Sequence, residues 1–281
     1  MDHMPSSSWD THVHVFDPVR HPYITNTRYS PPARSTADLV AATPTQNFVI
    51  VMSGPEGTNT ELTIEAMQKL RDVGREARGV VVMDMEQMTP DELQRLNRAG
   101  VRSVRFNTRR EGTSLDKLYA ECAERIHSAG LRWSIEAAIF EVKLWHSLIE
   151  TFRLLHKKYG TVFVADHVFA AQPSDLSSSE FLDLLELVEE GILMVKISGL
   201  TRYGRSPESL RPLIKEILKR RDGKGGVWGS DWPHVNSTPG ATNFLEVNLG
   251  QHLGLLKSIC AELGGDRWEK LMGQNAAALY E

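Results

Sequence analysis

Short β-branched runs alternate with longer stretches of helical periodicity along the whole chain, and this alternation restricts the fold to a layered α/β architecture. Eight strands are predicted, over residues 11–16, 47–52, 79–83, 102–106, 132–136, 161–166, 193–198 and 227–231. Helices are predicted over 59–74, 90–99, 115–129, 141–159, 178–190 and 207–221, with a shorter one near 36–42. The punctuation agrees: Thr89 is suited to cap a helix that has Pro90 at its first position, and Gly130 and Gly160 stand where two helices should stop. The strands read as nearly continuous apolar runs, as strands do when both faces of a parallel sheet are covered. Eight β/α units in 281 residues match a TIM (β/α)8 barrel, a single domain over 1–281 with a flexible lead at 1–8. A doubly wound open sheet is the alternative.

Composition removes several function classes. A net charge of −4, with no long basic block, argues against a nucleic-acid partner or an anionic membrane surface. No stretch approaches the roughly 18 apolar residues of a spanning helix. The first residues lack the basic start and apolar core of a secretory signal. Cys122 and Cys260 are too few for a disulfide framework and belong to no metal-binding cluster, which fits a reducing compartment. The expectation is a cytoplasmic protein acting on a small molecule, and a homo-oligomer is compatible with the sequence.

In a barrel the catalytic groups gather at the carboxyl ends of the strands. Those ends are polar here: His12 and His14 on strand one, Ser53 on two, Arg105 on four, Glu136 on five, Asp166 and His167 on six, Ser198 on seven and Asp231 on eight. One histidine alone would be read as a satisfied core residue, but the coincidence of so many polar ends points to one site. Two histidines spaced by one residue project to the same face of a strand. A buried arginine such as Arg105 requires an anion, from protein or ligand.

Several stretches carry a resemblance that spans nearly the whole chain. They are Trp9-Asp10-Thr11-His12-Val13-His14, Tyr29-Ser30-Pro31-Pro32, Gly100 through Asn107, Asp166-His167, Lys196 through Arg202, Gly229-Ser230-Asp231-Trp232-Pro233-His234 and Asn275 through Tyr280. The chain resembles the amidohydrolase superfamily, and within it the amidohydrolase-related members of the 2-pyrone-4,6-dicarboxylate lactonase type. The HxH and SDWPH pair is the specific part of the match.

The resemblance implies a hydrolase of a small, carboxylated lactone or related cyclic ester. In that reading Asp231 takes a proton from water, and His12, His14 and His167 polarise the carbonyl. It further implies that Arg202 holds a substrate carboxylate, alongside Arg105, Ser53, Ser198 and Glu136 as substrate contacts, with Arg109 and Arg110 as weaker candidates. Many metal-dependent superfamily members carry a strand-five histidine where this chain has Glu136. Two cofactor states follow: none, or one divalent metal, zinc, held by His12, His14, His167, Asp231 and Glu136. A metal-dependent decarboxylase of an aromatic or muconate-type acid is the rival chemistry, and a barrel reduced to ligand binding is the rival class. His234 is read as orienting Asp231 or as structural. Arg205 is read as exposed loop charge. His21, His127, His146, His156 and His252 receive no function.

Overall fold

The computed structural model describes residues 4–107 and 114–281. Eight parallel strands form one sheet in chain order: β1 (Trp9–Val13), β2 (Asn47–Val51), β3 (Ala77–Val81), β4 (Val101–Asn107), β5 (Ser134–Ala138), β6 (Phe163–Ala165), β7 (Leu193–Ile197) and β8 (Gly226–Trp228). The barrel is completed beyond β8. The Asp231 amide donates to the His12 carbonyl at 2.9 Å, and the His14 amide donates to the Trp232 carbonyl at 2.9 Å. Thr11 Oγ1 donates to the Trp228 carbonyl at 2.7 Å. The close approach explains Gly229, because a Cβ there would lie 2.6 Å from His12 Cβ and 2.9 Å from its amide nitrogen.

The helices form the outer layer: α1 (Thr36–Ala42), α2 (Glu61–Asp72), α3 (Pro90–Ala99), α4 (Leu115–Ser128), α5 (Val142–Ser147), α6 (Ile149–Tyr159), α7 (Ser179–Glu190), α8 (Arg211–Lys219) and α9 (Leu249–Leu263). Thr89 accepts a hydrogen bond from Glu92 as the N-cap of α3, and Gly160 ends α6 in the left-handed region. The helix predicted over 141–159 is broken at Leu148, and α9 was not anticipated. The main core lies between helices and barrel. A second cluster, including Trp9, Val49, Val51, Val80, Val164, Met194 and Val227, fills the barrel interior and reaches Tyr280 at the carboxyl end of the chain.

The terminus beneath the barrel is fastened by side chains. Asn275 Nδ2 donates to the Gly223 and Gly226 carbonyls at 2.8 and 2.7 Å, and Arg78 Nε donates to the Tyr280 carbonyl at 2.9 Å. At the end of the lead expected over 1–8 the chain is already held in place. Ser8 is fully buried, and its carbonyl accepts from the Asn47 amide at 2.9 Å, so it begins the barrel rather than preceding it. Among the described residues no helix is long and apolar enough to cross a membrane.

Candidate active site

The histidine pair stands where β1 gives way to its loop. His12 lies on the strand and His14 one residue past it, with ring centroids 5.1 Å apart. His167 joins them, its ring centroid 4.7 Å from that of His12. Asp231 follows β8 by three residues, and its Oδ1 lies 3.9 Å from both His12 Nε2 and His14 Nε2. The three histidines line a cavity that opens to solvent and is also lined by Ser53, Arg105, Arg202, Tyr29, Phe140 and Tyr203, and Asp231 reaches it through His12, His14 and Arg202.

A hydrogen bond fixes what His14 presents, and a neighbouring carboxylate biases His12 the same way. His14 Nδ1 lies 2.7 Å from the Val51 carbonyl, which can only accept, so Nδ1 carries the proton. His12 Nδ1 faces Asp166 Oδ1 at 3.3 Å, close enough for a charge contact, and a carboxylate again attracts the proton to Nδ1. Burial lowers the pKa of His14 to about 4 and holds that of His12 well below the ordinary value, so both are neutral near pH 7. Their Nε2 lone pairs therefore face the cavity. His167 differs because Nδ1 pairs with Ser198 Oγ at 2.9 Å, and a hydroxyl can donate or accept. Burial lowers the His167 pKa to about 3. It is neutral in either tautomer.

The carboxylates are held by cations. Burial would raise the Asp231 pKa, but the Arg202 guanidinium outweighs it and keeps the carboxyl well below its usual range. Arg202 donates to Asp231 through both Nε and Nη2, the latter at 2.9 Å. Asp166 is likewise held ionised against its burial, chiefly by Arg105, whose Nε donates to Oδ2 at 2.7 Å. Both arginines also line the cavity.

Glu136 is not where a strand end would have put it. Strand β5 runs two residues further than predicted, to Ala138, and it is Ala138 that lines the cavity. Residues two apart on a strand share a face, so Glu136 faces the same way one layer deeper in the barrel. There Lys196 Nζ donates to Oε2 at 2.5 Å and Tyr280 Oη donates to Oε1 at 2.7 Å. Both carboxylate oxygens are thus engaged away from the cavity, which corrects the expectation of a metal ligand or substrate contact. Lys196 Nζ also lies 3.8 Å from Asp166 Oδ1, which connects the buried ladder to His12.

The loop after β6 has an unusual backbone. His167, Val168, Phe169 and Ala170 all have φ between 52° and 58°. Non-glycine residues in this region cost about 1–2 kcal/mol each, and for β-branched Val168 it is an outlier. Gly199, on the neighbouring loop, has φ +54°, and a Cβ there would lie 2.7 Å from His167 Nδ1. The left-handed run and the missing Cβ together admit the imidazole. Arg205, expected as exposed loop charge, is 6% exposed.

Ser53 lines the cavity and donates Oγ–H to Glu56 Oε2 at 2.8 Å; burial raises the Glu56 pKa to about 7. Ser198 acts on His167 rather than lining the cavity. His234 is not among the lining residues, and its amide donates to the Asp231 carbonyl at 2.8 Å. Arg109 and Arg110 lie outside the described residues. Asp166 was named among the polar strand ends, and Tyr29 and Lys196 stood inside the resembling motifs, but none of the three was given a role, and Phe140 and Tyr203 were not singled out. The end of strand six was a signal for Asp166, but nothing local marks Lys196.

Three donors fit a divalent cation. One ligand atom from each of His12, His167 and Asp231 falls within 4.8 Å of the others, and buried His12 Nε2 has no hydrogen-bond partner among the described residues. Nitrogen and carboxylate donors suit zinc, provided that Arg202 releases Asp231.

Known proteins share this arrangement of sequence and fold. The 4-sulfomuconolactone hydrolase of Hydrogenophaga intermedia is 28% identical over 246 residues, covering 82% of this chain and 76% of that protein. The 2-pyrone-4,6-dicarboxylate hydrolase of Comamonas testosteroni is 29% identical over 253 residues, covering 83% and 79%. A crystal structure of a putative 2-pyrone-4,6-dicarboxylic acid hydrolase from Pseudomonas putida superposes with a TM-score of 0.77 at 24% identity, covering 99% of this chain and 98% of that one. The family model described as amidohydrolase runs from residue 9, the first of β1, to residue 281, and with that span matched the chain belongs to the amidohydrolase family.

Proposed function

We propose that this protein hydrolyses a lactone bearing an anionic substituent. The observation that carries the reading is the convergence of three neutral histidines and two arginines on one cavity, with Asp231 held between His12, His14 and Arg202. The lactone hydrolases among its relatives support it.

Arg202 begins on Asp231. A substrate carboxylate competes for the same guanidinium, whose fork suits bidentate carboxylate binding. As that grip transfers, the main influence lowering the Asp231 pKa weakens and its proton affinity rises. Asp231 then takes a proton from water as the water oxygen bonds to the lactone carbonyl carbon. The acyl–oxygen ring bond breaks as the tetrahedral intermediate collapses, and the proton passes to the leaving oxygen, giving a hydroxy acid or its keto tautomer. With Ser198 donating to Nδ1, His167 offers Nε2–H to the oxygen on which negative charge grows. Arg105 lends positive charge from the same wall.

The tautomers favour a second form of this reading. Neutral His12 and His14 present lone pairs and cannot donate to that oxygen, but they suit a divalent cation. His12, His167 and Asp231 would hold it, with His14 adjacent. A bound zinc would supply Lewis-acid polarisation of the carbonyl and a more acidic water.

The test is turnover of a panel of carboxylated and sulfonated lactones against neutral lactones of equal size, with metal content measured on the same sample before and after exhaustive chelation. Selective hydrolysis of the anionic lactones supports the reading. Failure on every lactone, or equal turnover of neutral ones, refutes it, and carbon dioxide release from an aromatic or muconate-type acid would assign the rival chemistry. Activity lost on chelation and restored by zinc selects the metal form.

A further inference from the structure

We propose that Arg205 is the positioning residue that keeps the His167 imidazole aimed into the cavity; the catalytic part of this rests on the lactone reading. Arg205 is buried, yet every hydrogen bond it makes among the described residues ends on a main-chain carbonyl. Nε donates to Arg202 at 3.0 Å, Nη1 to His167 at 3.2 Å and Ala171 at 3.0 Å, and Nη2 to His167 at 3.2 Å and Gly199 at 3.1 Å. Burial lowers its pKa to about 10, which leaves it a cation near neutral pH.

Those carbonyls belong to the loops after β6 and β7, and they bracket the left-handed run that begins at His167. A strained backbone persists only where its surroundings over-determine it, and a planar fork with five donors can hold several carbonyls at once where a lysine cannot. One guanidinium thus joins the main chain of His167 to Gly199, the residue that follows Ser198 and whose missing Cβ admits the ring. It also supports a second wall: Arg205 Cζ lies 4.9 Å from the centroid of the Tyr203 ring, itself 6.3 Å from that of His167. Arg205 does not line the cavity. It acts through His167, not on substrate.

The test compares Arg205→Ala and Arg205→Lys with wild type by steady-state kinetics and by hydrogen exchange of the amides of 166–171. Both variants should lose kcat by on the order of 10²-fold, with KM changed less than about threefold, because a small displacement of a catalytic group is costly. Exchange over 166–171 should accelerate in both, with β1 to β5 unchanged. Added guanidinium ion should restore part of kcat to the alanine variant and none to the lysine variant.

A folded variant with kcat within about threefold of wild type overturns the proposal, as does guanidinium that raises thermal stability without raising kcat. If Arg205→Ala does not fold, Arg205→Lys carries the same readings. Should wild type hydrolyse no anionic lactone, the functional reading fails, and exchange over 166–171 still decides the positioning claim; unchanged exchange there overturns it.

Discussion

Lys196→Met tests the buried charge ladder beneath the site. Lys196 and Glu136 are both fully buried and 2.5 Å apart, so removing the ammonium leaves a carboxylate in the barrel with Tyr280 as its remaining donor. Breaking a buried pair from one side costs about 3–5 kcal/mol, a large share of the roughly 5–15 kcal/mol that holds a folded domain together. With a urea slope near 3 kcal/mol per M, the midpoint should fall by about 1–2 M. The sign of the pH dependence follows from Glu136. Burial already raises its pKa above 4.5 against the opposing pull of Lys196, and without the lysine only the Tyr280 hydrogen bond still opposes it. An acid with a raised folded pKa makes the unfolded state lose its proton first, so stability falls as pH rises through the unfolded value. The deficit should therefore be smaller near pH 4 than at pH 8. Lys196→Met/Glu136→Gln should recover most of the loss, because no buried charge is stranded and the amide oxygen still accepts from Tyr280. A midpoint shift below about 0.3 M, or a double variant no better than the single one, would refute the argument.

Two further outcomes follow. Asp10 is fully buried, and burial raises its pKa from 3.8 to about 7, so it contributes a loss of stability as pH rises from about 4 to 7; Asp10→Asn should remove that slope, and parallel pH–stability curves for variant and wild type would contradict it. Gly199→Ala must adopt φ +54° with its Cβ 2.7 Å from His167 Nδ1; it should cost about 1–2 kcal/mol and at least about tenfold in kcat, read by thermal melting and steady-state rates.

How much was legible depended on whether a signal was local. The eight strands follow from short β-branched runs, and the helix Pro90–Ala99 matches its prediction because cap and proline stand side by side in sequence. The strand rule brings His12, His14, His167 and Arg105 to one mouth, with Asp231 beside the first two, because loop-end residues gather there. Glu136 was misassigned by a strand end two residues short, enough to move it one layer down the barrel. Its partners Lys196 and Tyr280 are 60 and 144 residues away, and a lysine inside Leu193–Ile197 has no local sign that its ammonium turns inward. Arg205 was misread for a related reason. A loop arginine looks solvated until the carbonyls of two loops are seen to converge on it.

Asp231→Asn bears most directly on the central claim. The amide keeps the shape of the side chain but cannot accept the proton of water, and Arg202, no longer paired with a carboxylate, becomes more available to an anion. Turnover of an anionic lactone should fall by about 10²–10⁴-fold, while calorimetry finds the affinity for that lactone undiminished and the melting curve shows a folded protein. Hydrolysis by Asp231→Asn within about threefold of the wild-type rate would contradict the account.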